Sequence, residues 1–190
     1  TAQTLLGIKS DEQNPENGWM VNTMNNPFGY TMPYGSWGCT PASNAWVSSS
    51  FWEYYEFTQD KEYLENTIYP IIREAAVFWT QALGEKDGRL VSVPSISPEN
   101  GAFTAGCTYD QELIWQLYTD VIEASTLLDC DKELRETLIA QREKLDPLHV
   151  SERGTLKEWY YEDEDGFYDR DLHHRHISHL VGLFPGDQIN

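Results

Sequence analysis

Apolar residues fall into bursts along this chain, separated by long polar stretches rich in glycine and proline. Residues 1–42 carry Pro15, Gly18, Pro27, Gly29, Pro33, Gly35, Gly38 and Pro41, with Asn14, Asn17, Asn22, Asn25 and Asn26 between them. Gly and Pro cost about 1 and 3 kcal/mol in a helix interior, so the spacing predicts loop there. A loop of that length in a compact domain is usually functional. Helical spacing begins after it. Ser43 or Asn44 can cap a helix running to about Phe57, with Ala45, Trp46, Phe51, Trp52 and Tyr55 as its apolar positions. A second helix is predicted from about Asn66 with Pro70 in its first turn, and Gly84 closes it. Ile68, Ile71, Ile72, Ala75, Phe78, Trp79 and Ala82 mark its inward face at i, i+3, i+4, i+7 spacing. A loop from Asp87 to Thr108, with a short strand at Leu90–Val93, leads to a third helix over Tyr109–Leu128. Its inward positions are Leu113, Ile114, Leu117, Val121, Ile122 and Leu128. A fourth helix over Lys132–Leu145 carries Leu134, Leu138, Ile139 and Leu145 and stops before Pro147. A short helix from His176 is ended by Pro185-Gly186. The recurring loop–helix–helix rhythm predicts an all-α barrel or solenoid whose long loops gather at one end.

Composition narrows the partners rather than the fold. At 190 residues, 40% hydrophobic and 23% charged, the chain has enough material for one domain with a sizeable core. Thr1 reads as the interior of a longer chain, and no apolar run approaches the ~20 residues of a membrane span. The formal charge of -18 repels phosphate backbones and anionic lipid, so neither nucleic acid nor a membrane surface is an expected partner. Acidity that merely keeps the protein soluble is an equal reading. Cys39, Cys107 and Cys130 show no paired spacing and are expected to be free thiols. Aromatic residues reach 13%. Their faces suit the C–H faces of sugar rings, although packing between helices explains them as well.

Several segments bear candidate chemistry. Val93-Pro-Ser-Ile-Ser-Pro-Glu-Asn-Gly101 holds Glu99 between Pro98, which fixes φ, and Gly101, which accepts an unusual backbone angle. A rigidly held Glu whose pKa is raised by burial can donate a proton to a glycosidic oxygen, whereas a loop Glu taken alone is ordinarily solvated or caps a helix. His173-His-Arg-His-Ile-Ser-His179 admits three readings: a metal site from His174, His176 and His179 with Asp169 or Asp171, structural hydrogen bonding, or donors to sugar hydroxyls from Arg175 and His176. The metal reading ranks last, because two ligands at i, i+4 around a Glu are missing. Thr155-Leu-Lys-Glu-Trp159 can bind a sugar through Glu158 and stack it on Trp159, or simply pack. The acidic run Glu162–Asp169 reads as solvated charge. Trp37, in the amide- and aromatic-rich stretch before the first helix, is the preferred stacking residue.

Taken in order, these segments resemble glycoside hydrolase family 95, the inverting 1,2-α-L-fucosidases. The resemblance runs through Gly18-Trp19 with Asn26-Pro-Phe-Gly29, Trp46 to Phe57, Ser97-Pro-Glu-Asn-Gly101, Asp110-Gln-Glu-Leu-Ile114 and Lys157-Glu-Trp159. It ends on the most specific stretch, His174-Arg-His-Ile-Ser-His-Leu-Val-Gly-Leu-Phe-Pro-Gly186. It implies part of an (α/α)6 barrel, about half of the helical hairpins, with long loops at one end forming a sugar pocket. It further implies Glu99 as general acid and Trp37, Asn100, Glu158, Arg175 and His176 as substrate-binding residues, with no metal or organic cofactor. The implied substrate is a fucosylated oligosaccharide or glycan, a bacterial source and a secreted or periplasmic location being the accompanying expectations. Acid and base would stand ~6.5–9.5 Å apart across the attacking water. The family's water-holding Asn pair and Asp base match nothing in residues 1–190, which are therefore expected to be a partial catalytic domain, inactive alone, with its remaining parts upstream and downstream. An α-L-galactosidase of the same family and a non-catalytic carbohydrate-binding helical domain are the alternatives.

Overall fold

The computed structural model describes residues 8–9, 18–25, 28, 31–32, 39–162 and 173–189. Its frame is helical. Helix α1 spans Ser43–Thr58, a one-turn helix α2 spans Lys61–Tyr63, a π-helical turn covers Leu64–Ile68, and α3 spans Tyr69–Ala82. Helices α4 and α5 cover Thr108–Leu127 and Lys132–Lys144. Helix α1 packs on α3 and α4 on α5, while α4 also packs against α3 and α1 and joins the two pairs. The result is predominantly helical with minor strands, as part of an (α/α)6 barrel requires.

The buried stripe of α3 is the one its spacing predicts. Ile68, Ile71, Ile72, Ala75 and Trp79 are buried, with Phe78 and Ala82 packed at the margin. They meet Ala45, Trp52 and Tyr55 of α1 and Ile114, Leu117, Tyr118, Val121 and Ala124 of α4. Leu138 is the one buried residue within α5. Trp46 departs from expectation: it is 42% exposed, and its ring leans on Tyr109 at a centroid distance of 6.2 Å.

Helix starts differ from the sequence reading in instructive ways. Asn44 does not cap α1. It is buried in the core, where Nδ2 donates to the Trp19 carbonyl (2.9 Å) and Oδ1 accepts the Trp79 indole N–H (2.8 Å). The second helix begins before Asn66, at Lys61, because Asp60 caps it by accepting the Tyr63 N–H at 3.0 Å. The π turn then lets the chain reach Pro70 in the first turn of α3, where the missing N–H costs little.

Among the described residues eight short strands form four two-stranded antiparallel ribbons: β1 Ile8–Lys9 with β2 Trp19–Met20, and β3 Met24–Asn25 with β4 Thr31–Met32. In the remaining two, β5 Leu83–Lys86 pairs with β6 Arg89–Ser92, and β7 Ser95–Ser97 with β8 Asn100–Thr104. Gly84 therefore lies in β5 and does not close the helix. The turn between β5 and β6 is Asp87-Gly88, with φ of 50° and 78°, the geometry a two-residue hairpin demands. The helix expected from His176 is only a 3-10 turn, Ser178–Leu180. Beyond it the chain must pass close to α4. A Cβ on Gly182 would stand 2.7 Å from Glu112 Oε1, so the segment turns there and does not continue as helix. Among the described residues no helix is long and apolar enough to cross a membrane.

Candidate active site

The β7–β8 hairpin presents Glu99 at its tip. Ser97 pairs with Asn100, which leaves Pro98 and Glu99 as a two-residue turn. Pro98 presets the first turn position. The second position has positive φ, as in a type II turn: Glu99 takes 57°, and Gly101 beyond the turn takes 86°. The sequence reading assigned the unusual angle to Gly101 alone. A non-glycine residue in the left-handed region costs about 1–2 kcal/mol, so this turn keeps a carboxylate where Gly or Asn would sit more easily.

Glu99 Oε2 accepts hydrogen bonds from the Arg175 guanidinium Nη2 and from His176 Nε2 (2.8 Å). The three residues, 76 and 77 positions apart in sequence, thus form one cluster at the surface. The backbone N–H of His176 donates to His174 Nδ1 (3.2 Å), which fixes the second histidine beside the first. The hydrogen bond from His176 and the positive charge of Arg175 hold the Glu99 pKa below the ordinary glutamate value. This corrects the expectation of a burial-raised acid: the side chain is 43% exposed and ion-paired, so burial cannot dominate.

Behind the turn lies a buried polar layer. Asn100 is buried, and its Nδ2 donates to Glu158 Oε1 at 3.3 Å; the Ser97 hydroxyl donates to the same oxygen. Ser97 Oγ also lies 3.0 Å from Ser178 Oγ, and Glu158 Oε2 lies 3.8 Å from His179 Nδ1. Burial pushes the His179 pKa down, which favours a neutral ring. One turn of strand away, Ser95 donates to Asp110 Oδ2 (2.6 Å) and accepts the Cys107 N–H (2.9 Å). Sequence reasoning missed Ser95, Ser97, Ser178 and Asp110. No local pattern marks them, since each gains its role from an acceptor or donor distant in sequence.

Other sequence-stated residues fall elsewhere. The Trp159 ring is fully buried and pairs by backbone with Cys107, so it is core and not a stacking platform. Glu162, read as solvated, is buried: Oε2 accepts the Glu158 N–H (2.7 Å) and Oε1 faces Arg153 (3.3 Å). Trp37, Asp169 and Asp171 lie outside the described residues. Among the described residues no group of three or more His, Cys, Asp or Glu is placed to hold a metal; His176 is turned to Glu99 and His179 to Glu158.

Two recesses flank the cluster. An open groove of about 510 Å³ is lined by Trp46, Pro98, Tyr109, His176, Leu183 and Phe184, and is mainly apolar. A second cavity of about 310 Å³ is lined by Arg153, Leu156, Glu158, Glu162, His173 and His179, charged side chains set in a largely apolar wall. A carboxylate bracketed by fixed cationic or polar donors, beside recesses of this size, can bind a neutral polyol and exchange a proton with it.

The catalytic-domain profile of glycosyl hydrolase family 95 matches residues 1–190. The chain belongs to this family. It is 36% identical over 198 residues to "Probable alpha-fucosidase A" of Aspergillus niger, which covers 98% of the chain and 24% of that protein. To "Alpha-L-fucosidase 2" of Arabidopsis thaliana it is 34% identical over 205 residues, 100% of the chain and 24% of that protein. "Probable alpha-fucosidase A" of Aspergillus oryzae is 40% identical over 101 residues, 52% of the chain and 14% of that protein. The chain therefore spans about a quarter of the length of the first two relatives. These family 95 relatives are fungal and plant proteins and give the expected bacterial source no support.

Proposed function

We propose that residues 1–190 are part of the catalytic barrel of a glycosidase that removes terminal α-L-fucosyl groups with inversion, Glu99 being the general acid. The observation that carries this reading is the meeting of Glu99, Arg175 and His176 at one point, from two segments that match the family motifs. In the reaction the bond between the anomeric carbon and the leaving oxygen breaks. The Glu99 proton passes to that oxygen, and a water attacks the opposite face, giving its own proton to a base. The base Asp and the Asn residues that hold the water lie outside residues 1–190 in this proposal, so these residues alone would not turn over.

Arg175 and His176 are donors fixed in planes, suited to sugar hydroxyls. They also bond Glu99 and favour its ionised form. When they turn to a bound sugar, Glu99 loses the partners that depress its pKa and is covered by substrate, so it takes up the proton it must donate. Asn100 and Glu158 stand at the rear of the turn, with Glu158 lining the cavity of about 310 Å³, and Trp37 is the proposed stacking wall. The test is to follow the anomeric protons by NMR as the full-length enzyme cleaves an α-L-fucosyl oligosaccharide. Initial release of β-L-fucose supports the proposal; initial release of the α anomer rejects an inverting mechanism.

A further inference from the structure

We propose that Glu158 is a positioning residue that locks the acid-bearing turn to the segment carrying Arg175 and His176; the proposal rests on Glu99 being the proton donor. A single oxygen, Glu158 Oε1, accepts from both residues that flank the Pro98-Glu99 turn, the Ser97 hydroxyl and the Asn100 amide (3.3 Å). Ser97 has one hydroxyl proton, and it is given to Glu158. The 3.0 Å contact between Ser97 and Ser178 must then be a bond donated by Ser178. Ser178 is two residues beyond His176. The relay Ser178 → Ser97 → Glu158 therefore joins the 173–180 segment to the β7–β8 hairpin.

Glu158 is itself held from behind. Its N–H donates to Glu162 Oε2 (2.7 Å), and its carbonyl accepts the N–H of Thr108, the first residue of α4, at 3.1 Å. Three segments distant in sequence thus converge on one residue whose side chain is only 8% exposed. Two donors on one side-chain oxygen and hydrogen bonds at both backbone groups hold the residue from both ends, which is what gives this junction its stiffness. Stiffness matters because misplacing a reacting group by 1 Å can cost about 100-fold in rate.

The test uses the full-length enzyme and two substrates: an α-L-fucosyl disaccharide, whose leaving oxygen needs a proton, and α-L-fucosyl fluoride, whose leaving group departs without one. Glu158→Gln and Ser97→Ala should each lower kcat on the disaccharide about 10- to 100-fold, with KM within about 3-fold. Each should lower kcat on the fluoride by less than about 3-fold. Ser97→Ala removes only one methyl-sized polar group, so it reports even where Glu158→Gln impairs folding. Equal losses on both substrates, a rise in KM alone, or full activity of Ser97→Ala would overturn the positioning role. Glu99→Gln run alongside separates the two claims. A loss confined to the disaccharide there, without one in the Glu158 and Ser97 variants, leaves the acid standing and removes its positioning residue. An equal loss on both substrates in Glu99→Gln removes the acid assignment first.

Discussion

Asp110 lies in the first turn of α4 with 1% exposure, and burial pushes its pKa up to about 7 from an ordinary value of 3.8. The Ser95 hydroxyl donates to Oδ2 and partly offsets that shift. Ser92, close by, lowers the pKa further, while Asp110 Oδ1 is buried without a well-formed hydrogen bond. The sign follows from proton counting. Below about pH 4 the group is protonated in both folded and unfolded chains and contributes no pH dependence. Between the ordinary value and about 7 the folded chain binds the extra proton, so stability falls as pH rises. Above that window the full penalty stands, about 3 units or about 4 kcal/mol at about 1.4 kcal/mol per unit. Asp110→Asn removes the charge, keeps an oxygen for Ser95 and offers Ser92 an N–H. The weaker bond from Ser95 returns about 1 kcal/mol. The variant should therefore be about 3 kcal/mol more stable than the parent protein at pH 8 and about 1 kcal/mol less stable at pH 3.5, a change of about 4 kcal/mol between the two. Urea denaturation followed by tryptophan fluorescence across that range measures the difference. Asp110→Asn destabilising at pH 8 as much as at pH 3.5 would refute the reasoning, since it would mean an ionised, fully satisfied carboxylate. Glu112, raised to about 8, and Asp120, raised by burial, act with the same sign and should leave a residual acid preference in the variant.

Gly18→Ala should destabilise by at least about 2 kcal/mol, because φ is +77° and the new Cβ would stand 2.2 Å from the Glu74 carbonyl oxygen; a urea midpoint unchanged from the parent would contradict it. Asn44→Ala strips the Trp79 indole N–H and the Trp19 carbonyl of their partner in the core, for a loss of about 2–4 kcal/mol in the same assay. In kinetics, the basic limb of kcat/KM, which reports free enzyme, should lie at lower pH than that of kcat, because His176 and Arg175 depress Glu99 and, in the proposed mechanism, turn to the sugar once it binds. His176→Gln should move the kcat/KM limb upward; a limb that stays in place would separate Glu99 from that limb.

The frame was legible where burial repeats with helical period. In α3 and α4 the inward residues named from spacing are the ones that pack, since a helix can bury only one stripe. Spacing failed where side-chain chemistry outranks it. Asn44 reads as a cap, yet two tryptophans with unsatisfied backbone or indole groups draw it into the core. Trp46 reads as core, yet it borders an open groove. The β5–β6 hairpin was hidden because its first strand runs directly out of α3, although Asp87-Gly88 carried the turn signal. At the candidate site, Glu99, Arg175 and His176 were named from motif resemblance and their side chains meet, a contact that no local pattern 76 positions apart could give. The part played by Ser97 and Ser178 was not legible. A buried hydroxyl acquires meaning only from the acceptor opposite it, and Glu158 lies 61 residues from Ser97.

Glu99→Gln in the full-length enzyme tests most directly whether Glu99 is the proton donor. Amide replaces acid with little change of shape, so sugar affinity should survive while proton donation is abolished. The account predicts kcat on an α-L-fucosyl disaccharide lower by about 10²–10⁴, KM within a few-fold, and hydrolysis of α-L-fucosyl fluoride close to that of the parent. A variant that cleaves the disaccharide at more than about a tenth of the parent rate would contradict it.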